Sequence, residues 1–396
     1  MLSVLSRAHK SLVPFARLLA LLITGLVLAA CESGIGPVAR GGGPGTGAPV
    51  PVALLVPGGS GEATDDLIAR SLENAARLAI ADLGNVKIDL RVYNTAASPA
   101  QAALMATKAA EDGAAIILGP FYALEANAAG AAVAARGINV LSFSNNPDIA
   151  GGNVFILGQT FDSTARRLAS YAVSQGLTRI MIVHDQNPAG TIGMAAIQNA
   201  VTAAGGTVAA VGSYEFSQSG IVAAMSGIAS SAKSSNANAV FLTADTAGAL
   251  PLVSQLMMEN GVNPAVTQFI GLTRWDIPAA NLALPGVQGG WFALPDPGLT
   301  QQYQTRYQAA YGSAPHPTAG FAYDGMAAIG ALAKRGGASA LTASGLTQGA
   351  GFVGVNGIFR FRGDGTNERG LAVAQIQNSA VVLVDAAPRS FGGAGF

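Results

Sequence analysis

From Val52 onward the chain alternates short apolar runs rich in Val, Ile and Leu with longer segments of helical periodicity. This alternation limits the fold more than any other feature. Continuous apolar strands are buried on both faces, which happens in parallel sheets covered by helices. The run Val52 to Val56 ends at Gly58-Gly59-Ser60-Gly61, and Thr64 or Asp65 is placed to cap a helix carrying Leu67, Leu72, Ala75, Ala76, Leu78 and Ala79 on one face. Further strands are expected at Ile88 to Tyr93, Ala115 to Leu118 and Val140 to Ser142. Helices are expected over Pro99 to Glu111 and up to Arg136. A second series repeats the pattern, with strands at Ile180 to Val183, Val208 to Tyr214, Ala239 to Leu242 and Gln268 to Gly271. The tail differs. Gly357 to Arg362, a turn at Gly363-Asp364-Gly365, Leu371 to Ile376 and Ala380 to Val384 read as antiparallel hairpins. A single core rarely grows beyond about 250 residues, so the stretch to Val384 predicts two α/β lobes with parallel sheets.

The N-terminus carries a different signal. Arg7, His9, Lys10 and Arg17 precede an uncharged apolar run from Leu18 to Ala30 that stops at Cys31, the layout of a signal peptide over 1–30. A spanning helix needs about 20 apolar residues, and this run is shorter and ends in small residues. Leu28-Ala29-Ala30-Cys31 resembles the lipobox of bacterial lipoproteins, which makes Cys31 the lipidation site and the membrane a partner through the anchor. Cys31 is the only cysteine, so no intrachain disulfide exists. Residues 31–50 form a Gly/Pro-rich linker. A flexible chain of about 20 residues spans roughly 25 Å, which would keep the module near its membrane. Glu32 after the Cys leans toward the outer membrane, by resemblance to the sorting rule of some Gram-negative bacteria; the expected location is thus the periplasmic face of a membrane.

Charged residues make up 11% of the chain and the formal net charge is zero. Without a basic run, the electrostatic footprint of a nucleic-acid binder is missing. Hydrolase chemistry has little support either: beyond the leader only His184 and His316 could act as histidine bases, and no G-x-S-x-G elbow occurs. There is no H-E-x-x-H, no Cys pair and no calcium loop, so neither a metal nor a cofactor is expected, and the chain is not read as an enzyme.

Polar residues at predicted strand ends are more informative, because open α/β sheets bind ligands beyond the carboxyl ends of their strands. Ser60 lies in a loop that could be a tight turn, a polar ligand contact or, lacking a P-loop lysine and a third glycine, a poor nucleotide site. Ser144, Asn145 and Asn146 follow one strand, Asp185 another, Thr243 and Asp245 a third, and Arg274 and Trp275 a fourth. Each alone could be a cap or loop residue. Together with Tyr122 they make the candidate cleft for a small polar ligand.

Val52 to Pro57, Ile116-Ile-Leu-Gly-Pro120, Val140-Leu-Ser142, Arg179 to Asp185, Phe321-Ala-Tyr-Asp324 and Gly357 to Phe361 with Gly365 give the chain a resemblance to the leucine-binding-protein class of periplasmic binding proteins, type I. That resemblance implies two Rossmann-like lobes joined by a three-crossing hinge. One lobe would comprise 51–157 plus 289–347 and the other 158–288 plus 348–386, with 387–396 a disordered tail. Amino-acid binders of the family carry a Ser-containing tract and an Ala-x-Thr tract where this chain has Phe121-Tyr122-Ala123 and Ser144-Asn145-Asn146. These stretches, with Phe161-Asp-Ser-Thr-Ala-Arg166, instead resemble a lipoprotein branch of penicillin-binding-protein activators. The expected function is regulation of peptidoglycan synthesis through a penicillin-binding protein. The alternative is the substrate-binding part of an ABC transporter for amino acids or another small polar solute, with an ABC permease as partner.

Overall fold

The computed structural model describes residues 47–246 and 248–392. The leader, Cys31 and most of the linker lie outside them. Among the described residues no helix is long and apolar enough to cross a membrane.

The first lobe is built from β1 (Val50–Val56), α1 (Ala63–Asp82), β2 (Ile88–Asn94), α2 (Pro99–Glu111), β3 (Ile116–Leu118), α3 (Ala123–Val133), β4 (Asn139–Ser142) and β5 (Val154–Ile156). Its sheet runs β2-β1-β3-β4-β5 and every pairing is parallel. Val52, Leu54, Ile116 and Leu118 face one core, whereas Ala53, Leu55, Ile117 and Val140 face another packed against α2 and α3. Burial on both faces is why these strands read as unbroken apolar runs. Helix α1 begins one residue ahead of the expected cap, at Ala63, with Glu62 as its N-cap and no side-chain cap bond. Asp65 and Asp66 occupy its first turn, where the exposed N–H groups favour negative charge. Leu67 is exposed; Ile68, Ala69 and Leu72 turn inward in its place.

The second lobe continues with α4 (Phe161–Ser174), β6 (Arg179–Asp185), α5 (Pro188–Ala203), β7 (Thr207–Tyr214), α6 (Gln218–Ser234), β8 (Ala239–Leu242), α7 (Ala249–Glu259), β9 (Gln268–Gly271) and β10 (Trp291–Leu294). Next come α8 (Pro297–Tyr311), α9 (Gly320–Gly336), α10 (Ala343–Leu346), β11 (Phe352–Gly354), β12 (Gly357–Phe361), β13 (Asn367–Arg369), β14 (Ala372–Gln377) and β15 (Ala380–Asp385). The second sheet runs β15-β14-β10-β9-β8-β6-β7, with β14 and β15 antiparallel at one edge.

The crossings differ from the expected ones in two places. The first follows β5. Strand β10 pairs in parallel with β9 and antiparallel with β14, so the chain leaves the second sheet after Leu294 rather than near 288. Strands β11, β12 and β13 form a small sheet whose Phe352, Phe359 and Phe361 join the first lobe's core. The return to the second lobe therefore comes at Gly370-Leu371, not near 347. Four-residue apolar runs such as β10 can pair with either neighbour, and only packing decides between them. Ala387, expected in the tail, packs against the second lobe, and the Arg360 guanidinium lies 4.4 Å from the Phe391 ring centre. Residues 393–396 lie outside the described residues.

Arg369 ties the crossings together. Its Nε donates to Leu157 O at 3.0 Å and its Nη1 pairs with Asp324 Oδ2 at 2.8 Å. Both side chains are almost wholly buried, and Asp324 Oδ1 also accepts from Val355 N at 2.8 Å. A buried ion pair of this kind is tolerable only because the remaining donors and lone pairs are used.

Candidate functional site

The carboxyl ends of the first lobe's strands and of β9 meet at a cavity of about 560 Å³. This lies within the size range of small-molecule sites. Of the residues expected there, Tyr122, Ser144, Asn145, Asn146 and Arg274 line it; Ser60, Asp185, Thr243, Asp245 and Trp275 do not.

Backbone geometry places the first group. Gly119 has φ +91°, and a Cβ there would collide with the Leu55 carbonyl, so only glycine lets β3 turn this tightly into Phe121-Tyr122. The Tyr122 ring is part of the wall, but its hydroxyl reaches back to Asp65 Oδ1 at 2.5 Å. That bond to a carboxylate, with burial, pushes the phenol up to about 12. Ser60 Oγ donates to the other oxygen, Asp65 Oδ2, at 2.7 Å. Ser60 therefore acts behind the wall by fixing the carboxylate that fixes Tyr122.

Beyond β4 the loop is held by its own side chains. Ser144 N donates to Ser142 Oγ at 3.1 Å, Asn146 N to Ser144 Oγ at 3.1 Å and Asp148 N to Asn146 Oδ1 at 2.9 Å. These local turns use the acceptor oxygens. The Ser144 hydroxyl proton, the Asn146 amide nitrogen and the whole exposed Asn145 amide remain available to a ligand.

On the second lobe most strand-end residues are consumed by the scaffold. Asp185 is buried and accepts from Thr243 Oγ1 at 2.7 Å, joining β6 to the end of β8. Asp245 caps α7 by accepting from Gly248 N at 2.6 Å. Trp275 is completely buried in the core, over Gly271 and Gly290, where a Cβ on either glycine would strike its ring. Of the second-lobe residues expected at the site, only Arg274 faces the cavity. Its Nε donates to Asp276 Oδ1 at 2.6 Å, and Nη2 pairs with the same carboxylate. Among the described residues nothing pairs with the two Nη1 donors.

The sequence reading missed the aromatic wall. Phe121, Phe143, Phe161 and Phe321 line the cavity, joined by Leu272. Phe121 and Tyr122 meet edge to face, 5.0 Å between ring centres. Attention to polar strand ends passes over apolar residues, which read as core; the available signal was that Phe121 and Phe143 directly flank the polar positions. Gln159, Thr164, Thr273 and Thr318 complete the polar part of the lining. Among the described residues no group of His, Cys, Asp and Glu could hold a metal ion.

Comparison with known proteins agrees with the fold. A family model described as periplasmic binding protein matches residues 49–380. No curated protein matches the chain. Among solved structures, a putative branched-chain amino acid ABC transporter protein from Rhodospirillum rubrum is 18% identical, covering 85% of this chain and 100% of its own, with a TM-score of 0.72. A branched-chain amino acid ABC transporter periplasmic ligand-binding protein from Burkholderia xenovorans is 17% identical, covering 87% and 97%, with a TM-score of 0.67. A solute binding protein from R. palustris in complex with benzoate is 18% identical, covering 87% and 98%, with a TM-score of 0.57.

Proposed function

The chain belongs to the periplasmic binding protein family, and from that premise we propose that it is a non-catalytic, lipid-anchored receptor that captures a small solute between its two lobes. The family places it in the periplasm. The observation that carries the reading is the cavity itself: residues of the first lobe and Arg274 of the second line one space, so a ligand there touches both and favours their approach. The similar structures, two described for branched-chain amino acid transport and one in complex with benzoate, support a solute-binding role.

Delivery to an ABC permease is the downstream role this reading favours. Activation of a penicillin-binding protein rests on the likeness of Phe121-Tyr122-Ala123 and Ser144-Asn145-Asn146 to the activator branch. A thermal-shift screen of a broad solute library against the full-length protein in mild detergent tests capture. At least one solute is expected to raise Tm in a saturable way; a library without a hit, together with faster glycan polymerisation when the protein is added to penicillin-binding proteins of its own organism, would replace capture by regulation. Cys31→Ser is expected to move the protein from the membrane to the soluble fraction. Retention of that variant in washed membranes would remove the acyl anchor.

A further inference from the structure

We infer that the cleft selects a small aromatic carboxylate over an α-amino acid, an inference that rests on the solute-capture reading. Two features of the lining lead there. The first is the five rings of Phe121, Tyr122, Phe143, Phe161 and Phe321, far more aromatic surface than a small aliphatic side chain requires. Rings of this kind pack edge to face or offset against a planar guest.

The second is charge. Among the described residues lining the cavity, Arg274 alone carries a formal charge; the other polar side chains are Ser, Thr, Asn, Gln and the Tyr122 phenol. Asp276 fixes the guanidinium plane through Nε and Nη2, which leaves the Nη1 pair as oriented donors for an acceptor oxygen. A carboxylate suits them. An α-amino acid would bring its ammonium into a space where no lining carboxylate can pair it, and burying an unpaired ammonium is costly. The aromatic rings alone could attract a cation. Arg274 decides against that, since a ligand cation beside its Nη1 protons would be repelled. Tyr122 offers its ring rather than its hydroxyl, because Asp65 holds the phenol.

Calorimetric titration of the full-length protein in detergent with phenylacetate, phenethylamine, phenylalanine and leucine tests the inference. Phenylacetate is expected to bind saturably and at least tenfold tighter than the other three. Arg274→Gln should lower that affinity tenfold or more, with Arg274→Lys, which keeps the charge and loses the fork, in between. Circular dichroism of both variants separates lost recognition from lost folding. Leucine or phenylalanine binding as tightly as phenylacetate overturns the ligand class and leaves capture standing. Tightest binding of phenethylamine overturns the charge argument. Failure of all four to bind overturns the class, while the library screen decides capture on its own.

Discussion

The two lobes end their strands with similar polar residues and use them differently. In the first lobe, Ser142, Ser144 and Asn146 hold their loop with acceptor oxygens, while Ser144 and Asn146 keep donors and Asn145 its whole amide for the cavity. In the second, Asp185, Thr243 and Asp245 bond to one another or to a helix N-terminus, and Trp275 fills the core. Arg274 alone reaches the cavity from that group. The difference teaches that a polar strand end has two uses, recognition and scaffold, which share residue types and are separated by where the partners lie.

The sharpest way to break this comparison is Trp275→Ala. A fully buried indole should cost about 3–5 kcal/mol of stability, read as a lower urea midpoint. A loss under about 1 kcal/mol would return Trp275 to the cleft wall. Thr243→Val comes next, since it keeps the shape and removes the donor to Asp185. The expected loss is about 1–3 kcal/mol, with ligand affinity of the folded protein unchanged. An affinity change without a stability change would show that this pair serves recognition. Asn145→Ala should behave in the opposite sense, with stability within about 0.5 kcal/mol of the parent and solute affinity roughly tenfold lower.

The smallest effect concerns pH. Glu125, in the first turn of α3, is buried with Oε1 unpartnered, although Oε2 accepts from Tyr122 N at 3.3 Å. Burial pushes its carboxyl above the usual range. A raised value in the folded state means that Glu125's contribution to stability is complete below the ordinary Glu value and is lost as pH rises through the folded one. Glu125→Gln should therefore lessen any fall in Tm as pH rises above the ordinary Glu range. An unaltered slope would place the pH sensitivity in groups other than Glu125. Glu368 acts in the opposite sense, its stabilisation being lost as pH falls. There burial raises the carboxyl, but bonding from Arg360 and the charge of Arg362 outweigh it and lower the value.

Much of the fold is legible in the sequence. Helix α2 matches its expected Pro99 to Glu111 bounds, and β8 and β9 match theirs, because unbroken apolar runs and Ser/Pro starts are local signals. Strands β5, β10, β11 and β13 escaped notice. Each has three or four residues, and none directly follows a long helical segment as the equally short β8 and β9 do, so the strand–helix alternation does not mark them. Half of the candidate site was legible for the same reason. Ser144 to Asn146 and Arg274 stood at strand ends, whereas Phe121, Phe143, Phe161 and Phe321 looked like core.

What the sequence determined by itself was the α/β class, the order of elements and the family resemblance, since these depend on periodicity and turn chemistry within a few residues. The tertiary structure decided which sheet takes β10, where the chain recrosses, and which polar residues face a ligand. Those outcomes depend on partners far apart in the chain, such as Asp65 with Tyr122, Asp185 with Thr243 and Arg369 with Leu157, and a hydrogen-bonding group buried by folding must find its partner in space, whatever its neighbours in sequence.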